Sequence, residues 1–360
     1  MRKIIFGKQV FFIVEHKFEL LVSGATDLYA DGNRETDDLV INIVSQLKDR
    51  PIQTSNPKIY KKVENGFIAN FGETRICYIK SPGRPVYIEV EYRRRRNGVR
   101  ATIKMARSME FGTEIDRFVQ VLHELVLLPA TYFFDDLAPL HAASFSINQR
   151  GVVFTGTGGV GKSSALLVAS ERNDISFLSD DMALVRQGRV YGNMAWPKIY
   201  GYNCSGSEIR KLIFKDRGTF DRLHFYLKNR IDPSSVRRKI RPDDLFCSVC
   251  ADGVELNKVI LVFRMARKGM SVESISKENF VEASIAIMSA EYQVFHKFVE
   301  WEEYNCTLLG QKPVLSMTEI KINWRMVLNS INDCDFWVLN VPMEIEHEEY
   351  RTEIRKILRG

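Results

Sequence analysis

The sequence predicts an α/β protein in two parts: a strand-rich N-terminal domain over residues 1–112 and a mixed-sheet α/β domain over residues 113–360. Three observations predict it. Short apolar runs broken by turn residues fill the first part. From Glu114 onward, apolar strands alternate with segments of helical periodicity. Between one such strand and one such helix lies a glycine-rich stretch ending in Gly161-Lys162-Ser163. A chain of 360 residues is long enough for about two ordinary domains of roughly 150 residues. Its 45% hydrophobic and 27% charged residues are those of a chain that folds, far from the polar, highly charged composition of disordered ones.

Within the first part, Gln9 to Val14, Phe18 to Ser23, Phe67 to Phe71, Thr74 to Ile79, Val86 to Tyr92 and Val99 to Met105 read as strands. Asn65-Gly66 and Asn97-Gly98 suit tight hairpin turns, whose two central residues both need positive φ. An antiparallel sheet is the expected product. Asp37 to Leu47 carries apolar residues at helical spacing and is expected to pack across that sheet. From Glu114 to Leu128, Ile115, Phe118, Val119, Leu122, Leu125 and Val126 recur at three and four, which makes a helix leading out of the sheet. The domain boundary is set just before it. Beyond it, Ala142 to Ile147, Val152 to Thr155, Ile175 to Ser179 and Val259 to Phe263 are expected strands, and Lys162 to Ser170 and Asn279 to Tyr304 expected helices. Near the end, Phe336 to Val341 reads as a strand and Glu344 to Leu358 as a charged amphipathic helix.

The sharpest chemical signal is Gly156-Thr157-Gly158-Gly159-Val160-Gly161-Lys162-Ser163, which fits the phosphate-loop pattern G-x-x-x-x-G-K-[ST] at every fixed position. The strand Val152 to Thr155 runs in and a helix beginning near Ser164 runs out, the context such a loop needs. Glycines let the backbone wrap a polyphosphate with its N–H groups inward, and the helix N-terminus adds partial positive charge. Lys162 then reaches the β and γ phosphates, and Ser163 offers a hydroxyl to Mg²⁺. Downstream, Ile175 to Ser179 ends in Asp180-Asp181. Ligands of parallel nucleotide-binding sheets lie beyond the carboxyl ends of strands, so one acid can hold Mg²⁺ and the other accept a proton from an attacking hydroxyl.

Absences narrow the class. No Asn-Lys-x-Asp element, no Leu-Ser-Gly-Gly signature and no protein-kinase set of His-Arg-Asp and Asp-Phe-Gly accompanies the loop. The net charge of +6 favours anionic ligands, for which phosphates are enough, and nucleic acid is not an expected partner. Six scattered cysteines read as reduced thiols. Lys8, Glu15 and His16 interrupt the apolar run that a signal peptide needs, and no stretch has the length of a membrane span, so a cytoplasmic location is expected.

Leu140-His141-Ala142-Ala143, Gly151 to Gly156, Gly159 to Ser163 and Leu178-Ser179-Asp180-Asp181 together resemble the catalytic domain of the HPr kinase/phosphorylase family, whose fold is of the phosphoenolpyruvate-carboxykinase-like phosphate-loop type. His141 stands twenty-one positions before Lys162 and Asp180 eighteen after it, as in that family. The resemblance covers residues 135 to 190. It implies a Mg²⁺-dependent kinase that moves the γ-phosphoryl of ATP to a hydroxyl, of a serine in a protein or peptide or of a small molecule such as free serine. Carried over, His141 sits beside the reacting phosphate, Asp180 is the base, Ser163 ligates Mg²⁺ and Asp181 is a metal or water-mediated ligand. Arg237, Arg238 and Arg241 lie in the region of the family's downstream arginine, with Arg241 taken as its counterpart, and Glu208-Ile209-Arg210 is similar to a metal-binding stretch at a different spacing. Gly158 stands where the family has serine, a change the backbone cradle tolerates. The strand-rich first part differs from the family's N-terminal domain, so HPr itself is not the expected acceptor. The rival class is an ATP-binding regulatory protein in which nucleotide orders the cleft without transfer. Homo-oligomerisation is left open.

Other features have plainer readings. Arg93 to Arg96 form a solvated basic hairpin tip. Cys247 and Cys250 have metal-ligand spacing but no second pair. Tyr132-Phe133-Phe134 reads as core, and Lys198, Tyr200 and Tyr202 are candidates for the border of the substrate cleft.

Overall fold

The computed structural model describes residues 1–48, 51–56, 58–94, 107–110, 112–204, 207–215 and 217–359. It is mixed α/β, built on two large mixed sheets and a two-stranded ribbon among the described residues.

The first sheet starts with a hairpin of β1 (Arg2–Ile5) and β2 (Lys8–Val14), closed by Phe6 and Gly7, both at positive φ. α1 (Glu19–Thr26) then crosses over to β3 (Leu39–Val44), which lies parallel to β2. A meander follows: β4 (Gln53–Asn56), β5 (Tyr60–Val63), β6 (Gly66–Asn70), β7 (Arg75–Ile79) and β8 (Val86–Glu91), with β8 returning parallel to β3. Spatial order is β1-β2-β3-β8-β7-β6-β5-β4.

This corrects three expectations. The sheet is mixed, not antiparallel. Phe18 to Ser23 is helical, because its buried partners Phe18, Leu21, Val22, Ala25 and Thr26 repeat at helical spacing beyond the stretch read as a strand. Asp37 to Leu47 is extended, because Leu39, Ile41 and Ile43 alternate inward at period two. The hairpin at Asn65 is present but shifted by one residue. Only Asn65 has positive φ (53°); Gly66 is already in the strand, where a Cβ would stand 2.0 Å from the Tyr78 carbonyl oxygen. Val99 to Met105 and the Asn97-Gly98 turn lie outside the described residues.

The connecting helix begins with a capping box, in which Thr113 accepts from the Asp116 N–H and Asp116 from the Thr113 N–H. α2 (Glu114–Gln120) runs on through a π-helical segment (Val121–Leu127) into α3 (Leu128–Thr131). The wider coil leaves carbonyls to outside donors: Tyr292 donates to Glu124 O and Tyr78 to Leu125 O.

The second part follows in order β9 (Ala138–Ile147), β10 (Arg150–Thr155), α4 (Lys162–Ala169), β11 (Ile175–Ser179), β12 (Met182–Arg186), β13 (Arg189–Tyr191), β14 (Lys198–Tyr200), α5 (Ser207–Phe214), α6 (Thr219–Ile231), β15 (Arg237–Lys239), α7 (Pro242–Leu245), β16 (Ser248–Val249), β17 (Val254–Met265) and β18 (Ser271–Ser274). α8 (Lys277–Glu291), α9 (Gln293–Leu309), α10 (Met317–Asn329), β19 (Asp335–Pro342) and α11 (His347–Ile357) complete it. The single helix expected from Asn279 to Tyr304 breaks at Tyr292, where ψ is 35°.

β10 pairs antiparallel with β9 and parallel with β17, which pairs parallel with β19; β11 is antiparallel to β9. β10, β11, β17 and β19 therefore run the same way. β9 is the hub: its second half pairs β10 on one side and β11 on the other, and its first half pairs β12. One continuous buried apolar cluster joins the two sheets. Polar ties cross between them as well: Tyr60 and Lys62 reach buried Glu302 at 2.6 and 2.7 Å, and Tyr29 accepts from the Met194 N–H at 2.9 Å. Among the described residues no helix is long and apolar enough to cross a membrane.

Candidate functional site

The glycine-rich stretch leaves β10 as the pattern requires. Gly156, Gly159 and Gly161 all have positive φ. At Gly156 a Cβ would stand 2.7 Å from the Val262 carbonyl oxygen, and at Gly161 2.7 Å from the Tyr350 ring. Side chains are thus excluded on steric as well as torsional grounds at both ends of the loop. Val160 is buried beneath it, so this residue can serve a ligand only through its backbone. Thr157 lies on the exposed crest.

His141 and Ala142 of β9 tie the site together. On one side the His141 carbonyl accepts from the Gly156 N–H and the Thr155 hydroxyl, at the point where β10 gives way to the loop. On the other side Met182 is paired with His141, and the Ala142 N–H donates to Asp181 O. Asp180-Asp181 follows the end of β11, as expected, and the chain resumes at once in β12, so the pair sits between two strands that both pair with β9. Asp181 takes φ 70° there, so the two neighbouring carboxylates are presented in different directions.

Asp180 is 4% exposed; its Oδ1 accepts from the Ser163 hydroxyl at 3.0 Å and its Oδ2 from the Lys198 N–H at 3.3 Å. Asp181 opens toward the cavity and is held by Lys198 Nζ at 2.7 Å, which also reaches Glu124 at 2.6 Å from the π-helical segment. Burial, then the charge of Asp181, pushes the Asp180 pKa above the ordinary carboxylate range. Burial would raise Asp181 too, but the charge and hydrogen bond of Lys198 outweigh it and bring Asp181 below that range. The positions cross the expected roles: the acid expected as base touches the loop serine, and the acid expected on the metal faces the open space.

Lys162 is 7% exposed and folds back on its own loop, donating to Gly156 O at 2.9 Å and Thr157 O at 2.7 Å. Burial lowers its pKa against the opposing pull of Asp181 and Asp180. His141 is brought down to about 4 by burial and then by Lys162, which makes it neutral at pH 7. Ser164 is largely buried, donates to Asn203 Oδ1 at 3.1 Å and also lines the cavity.

These groups border a cavity of about 610 Å³, within the range of small-ligand sites. Its walls include His141, Gly158, Gly159, Gly161, Lys162, Ser163 and Asp181, with Tyr200, Tyr202, Arg264, His347 and Tyr350 opposite. Tyr200 and Tyr202 stack at 5.4 Å, and Tyr202 meets His347 edge-on at 6.1 Å. Three buried polar atoms in these walls, His141 Nδ1, Arg264 Nε and His347 Nε2, have no hydrogen-bond partner. Buried donors and acceptors are normally satisfied, so three orphans around one cavity mark it as a ligand site.

Arg241 is not brought to this cavity. It is held by Asp243 at 2.8 Å and Asp27 at 3.1 Å, and lies over the Trp196 ring. Its place in the cavity wall belongs to Arg264 at the end of β17, which sequence reasoning missed. The available signal was its position just past the apolar run Val259 to Phe263, at the carboxyl end of a strand running with β10. Glu291 was also missed: at the end of α8, its Oε1 accepts from the Gly158 N–H at 2.7 Å. No local motif announces it, since helix and loop are 133 residues apart in sequence. Tyr200 and Tyr202 do line the cavity, whereas Lys198 is not in its wall and reaches it only through its ion pair with Asp181. Arg210 donates to Cys204 O and lies away from the cavity wall. Cys247 and Cys250 are free thiols. Tyr132 is buried in the core. Arg93 pairs with Glu91, while Arg95 and Arg96 lie outside the described residues.

Among the described residues no group of three or more His, Cys, Asp or Glu side chains could by itself hold a metal ion. Magnesium in phosphate-loop sites asks for less: oxygen ligands from one hydroxyl and a carboxylate, with phosphate oxygens and water filling the octahedron. The Ser163 hydroxyl beside the Asp180 carboxylate is a donor set of that kind. Neither the models of known protein families nor the curated proteins compared with this chain match it.

Proposed function

We propose that this chain is a Mg²⁺-dependent phosphotransferase of the HPr kinase-like class, moving the γ-phosphoryl of ATP to the hydroxyl of a serine in a protein or peptide, or of a small molecule. One observation carries the reading: His141, the loop through Lys162 and Ser163, and the Asp180-Asp181 pair come from separate strands and meet around the β9 hub at one cavity.

The loop N–H groups and Lys162 bind the phosphates, for which the Lys162 ammonium leaves the Gly156 and Thr157 carbonyls. Magnesium, when bound, neutralises charge on the phosphate oxygens; Ser163 and Asp180 hold it. Asp181, open to the cavity and oriented by Lys198, positions the acceptor hydroxyl and takes its proton. Neutral His141 offers a hydrogen bond to the transferring group. Phosphoryl transfer asks chiefly for positioning and charge stabilisation, so these groups suffice.

The test is incubation of the protein with Mg²⁺, γ-labelled ATP and a panel of serine peptides, free serine and other hydroxyl compounds. Acceptor-dependent label transfer is expected. ATP binding with no transfer to any acceptor would leave only the regulatory reading.

A further inference from the structure

Away from the catalytic cavity, α5 and α6 enclose a groove of about 720 Å³. Its floor is apolar, with Phe214, Phe225, Leu223 and Tyr226, while Arg210, Arg222 and Arg230 stand around it. α6 is apolar on more than its buried side. Phe225 packs inward against Phe214 and under the Arg238 guanidinium. Yet Phe220, Leu223, Tyr226, Leu227 and Ile231 are all more than half exposed, the densest run of bare apolar side chains among the described residues. Such a patch marks an interaction surface. Among the described residues no carboxylate lines the groove, and the acid of α6, Asp221, is turned inward onto Arg217 and Arg238.

We propose that this groove docks an acidic, apolar-studded peptide segment of the phosphoryl acceptor; that the segment belongs to the acceptor rests on the function proposed above. Charge complementarity selects the partner: apolar anchors fill the floor and carboxylates meet the three arginines. A second copy of the chain is disfavoured, because a two-fold contact would set this arginine-ringed face against itself. Continuity selects the acceptor. Asn229 borders the groove and abuts Gly201, where a Cβ would stand 1.9 Å from Asn229 Oδ1. The turn after α6 (Pro233–Ser235) brings Ser234 into the catalytic cavity wall, beside Tyr200 and Tyr202. Gly201 itself is buried against Asn229, so a chain anchored in the groove reaches the cavity over the exposed Ser234 and Tyr202.

The experiment uses fluorescein-labelled synthetic peptides of Glu, Leu and Phe, with charge-reversed counterparts carrying Lys for Glu, and reads anisotropy on the full chain without nucleotide. The acidic set should bind at least tenfold more tightly than the reversed set. Leu223→Asp and Arg230→Glu should each remove at least tenfold, while thermal melts show both variants folded. Lys162→Ala should leave binding unchanged. Joining the best acidic segment to a serine acceptor should lower KM with kcat unchanged, and Leu223→Asp should abolish that gain. Selective binding without transfer to any acceptor would uphold the groove as a docking site and sink the phosphotransferase reading. Equal binding of the reversed peptides, no binding of the acidic set, indifference to both groove variants, or a Leu223-dependent dimer or association with anionic vesicles in place of peptide binding would overturn the proposal.

Discussion

If the proposed function holds, Glu291 gives the most direct measurement of how the glycine-rich loop is set before nucleotide binds. Its carboxylate takes the Gly158 N–H at 2.7 Å, one of the donors a polyphosphate would use. A triphosphate must displace that carboxylate and then bind close to its charge. Glu291→Gln keeps an oxygen acceptor and nearly the same shape while removing the charge. A charge-assisted hydrogen bond exceeds a neutral one by about 1 kcal/mol, and solvent exposure of this side chain holds the difference near that figure. Since 1.4 kcal/mol is a factor of ten, Mg-ATP should bind Glu291→Gln roughly five- to tenfold more tightly. Calorimetric titration at low and high salt checks it; the gain should shrink at high salt, because added ions screen an exposed charge. Unchanged affinity would show that the carboxylate does not compete with phosphate. Weaker binding would show that Glu291 helps the nucleotide, and the reasoning would be refuted.

Asp181→Asn should retain ATP binding within about threefold and lower acceptor transfer at least about a hundredfold, measured as label incorporation, since it removes the proposed proton acceptor. Gly161→Ala should lower stability by about 2 kcal/mol and weaken ATP binding. The new Cβ meets the Tyr350 ring at 2.7 Å and φ is 115°, so a wild-type melting temperature would contradict the geometry. Glu302→Ala should cost about 3–5 kcal/mol in urea denaturation, because it leaves Lys62, whose side chain is 4% exposed, without its counter-charge. Burial lowers His123 and His296 to about 4 in the fold. A histidine whose folded pKa lies below its unfolded value near 6.5 gives its stability above pH 6.5 and loses it as pH falls toward 4, up to about 3 kcal/mol each. Urea midpoints should therefore fall between pH 7 and 4.5 and recover in part in a His123→Gln, His296→Gln double variant.

What was legible in the sequence divides by the range of the interaction. The phosphate loop is local: its glycines answer to torsions and to backbone approach within eight residues, so the pattern could be read directly. β6, β7 and β8 of the meander were legible for the same reason, since alternation is written into each run, whereas β4 and β5 were not read as strands. Phe18 to Ser23 and Asp37 to Leu47 were exchanged because a stretch of six to eleven residues can fit period two and period 3.6 at once, and burial against partners decides. Here Leu39, Ile41 and Ile43 enter the core while Val40 and Asn42 are only partly covered. The same holds at the site. Asp180 and Asp181 were found as a pair, yet which of them meets Ser163 and which opens to the cavity depends on the 70° φ at Asp181 and on Lys198, seventeen residues away, both invisible to a motif.

The hub strand explains why the remaining site residues had no local signature. β9 meets the loop strand on one side and the acid-bearing strand on the other, so His141 is fixed by two registers at once. Any residue brought in by the outer strands and helices, such as Arg264 at the end of β17, Tyr350 on α11 or Glu291 on α8, is placed by the order in which those elements stack on that hub. Arg241 illustrates the converse. It lies with Arg237 and Arg238 in the region of a family arginine, but Asp243 two residues on and Asp27 just after α1 hold its guanidinium. Arg264 has carbonyl partners, Pro342 O and Met343 O, yet keeps Nε unpaired at the cavity wall. An arginine with an unpaired donor in the wall of the same cavity as the glycine-rich loop is a better candidate for an anion there than one at the expected number, because it is within reach of that space and a buried donor without a partner carries a cost.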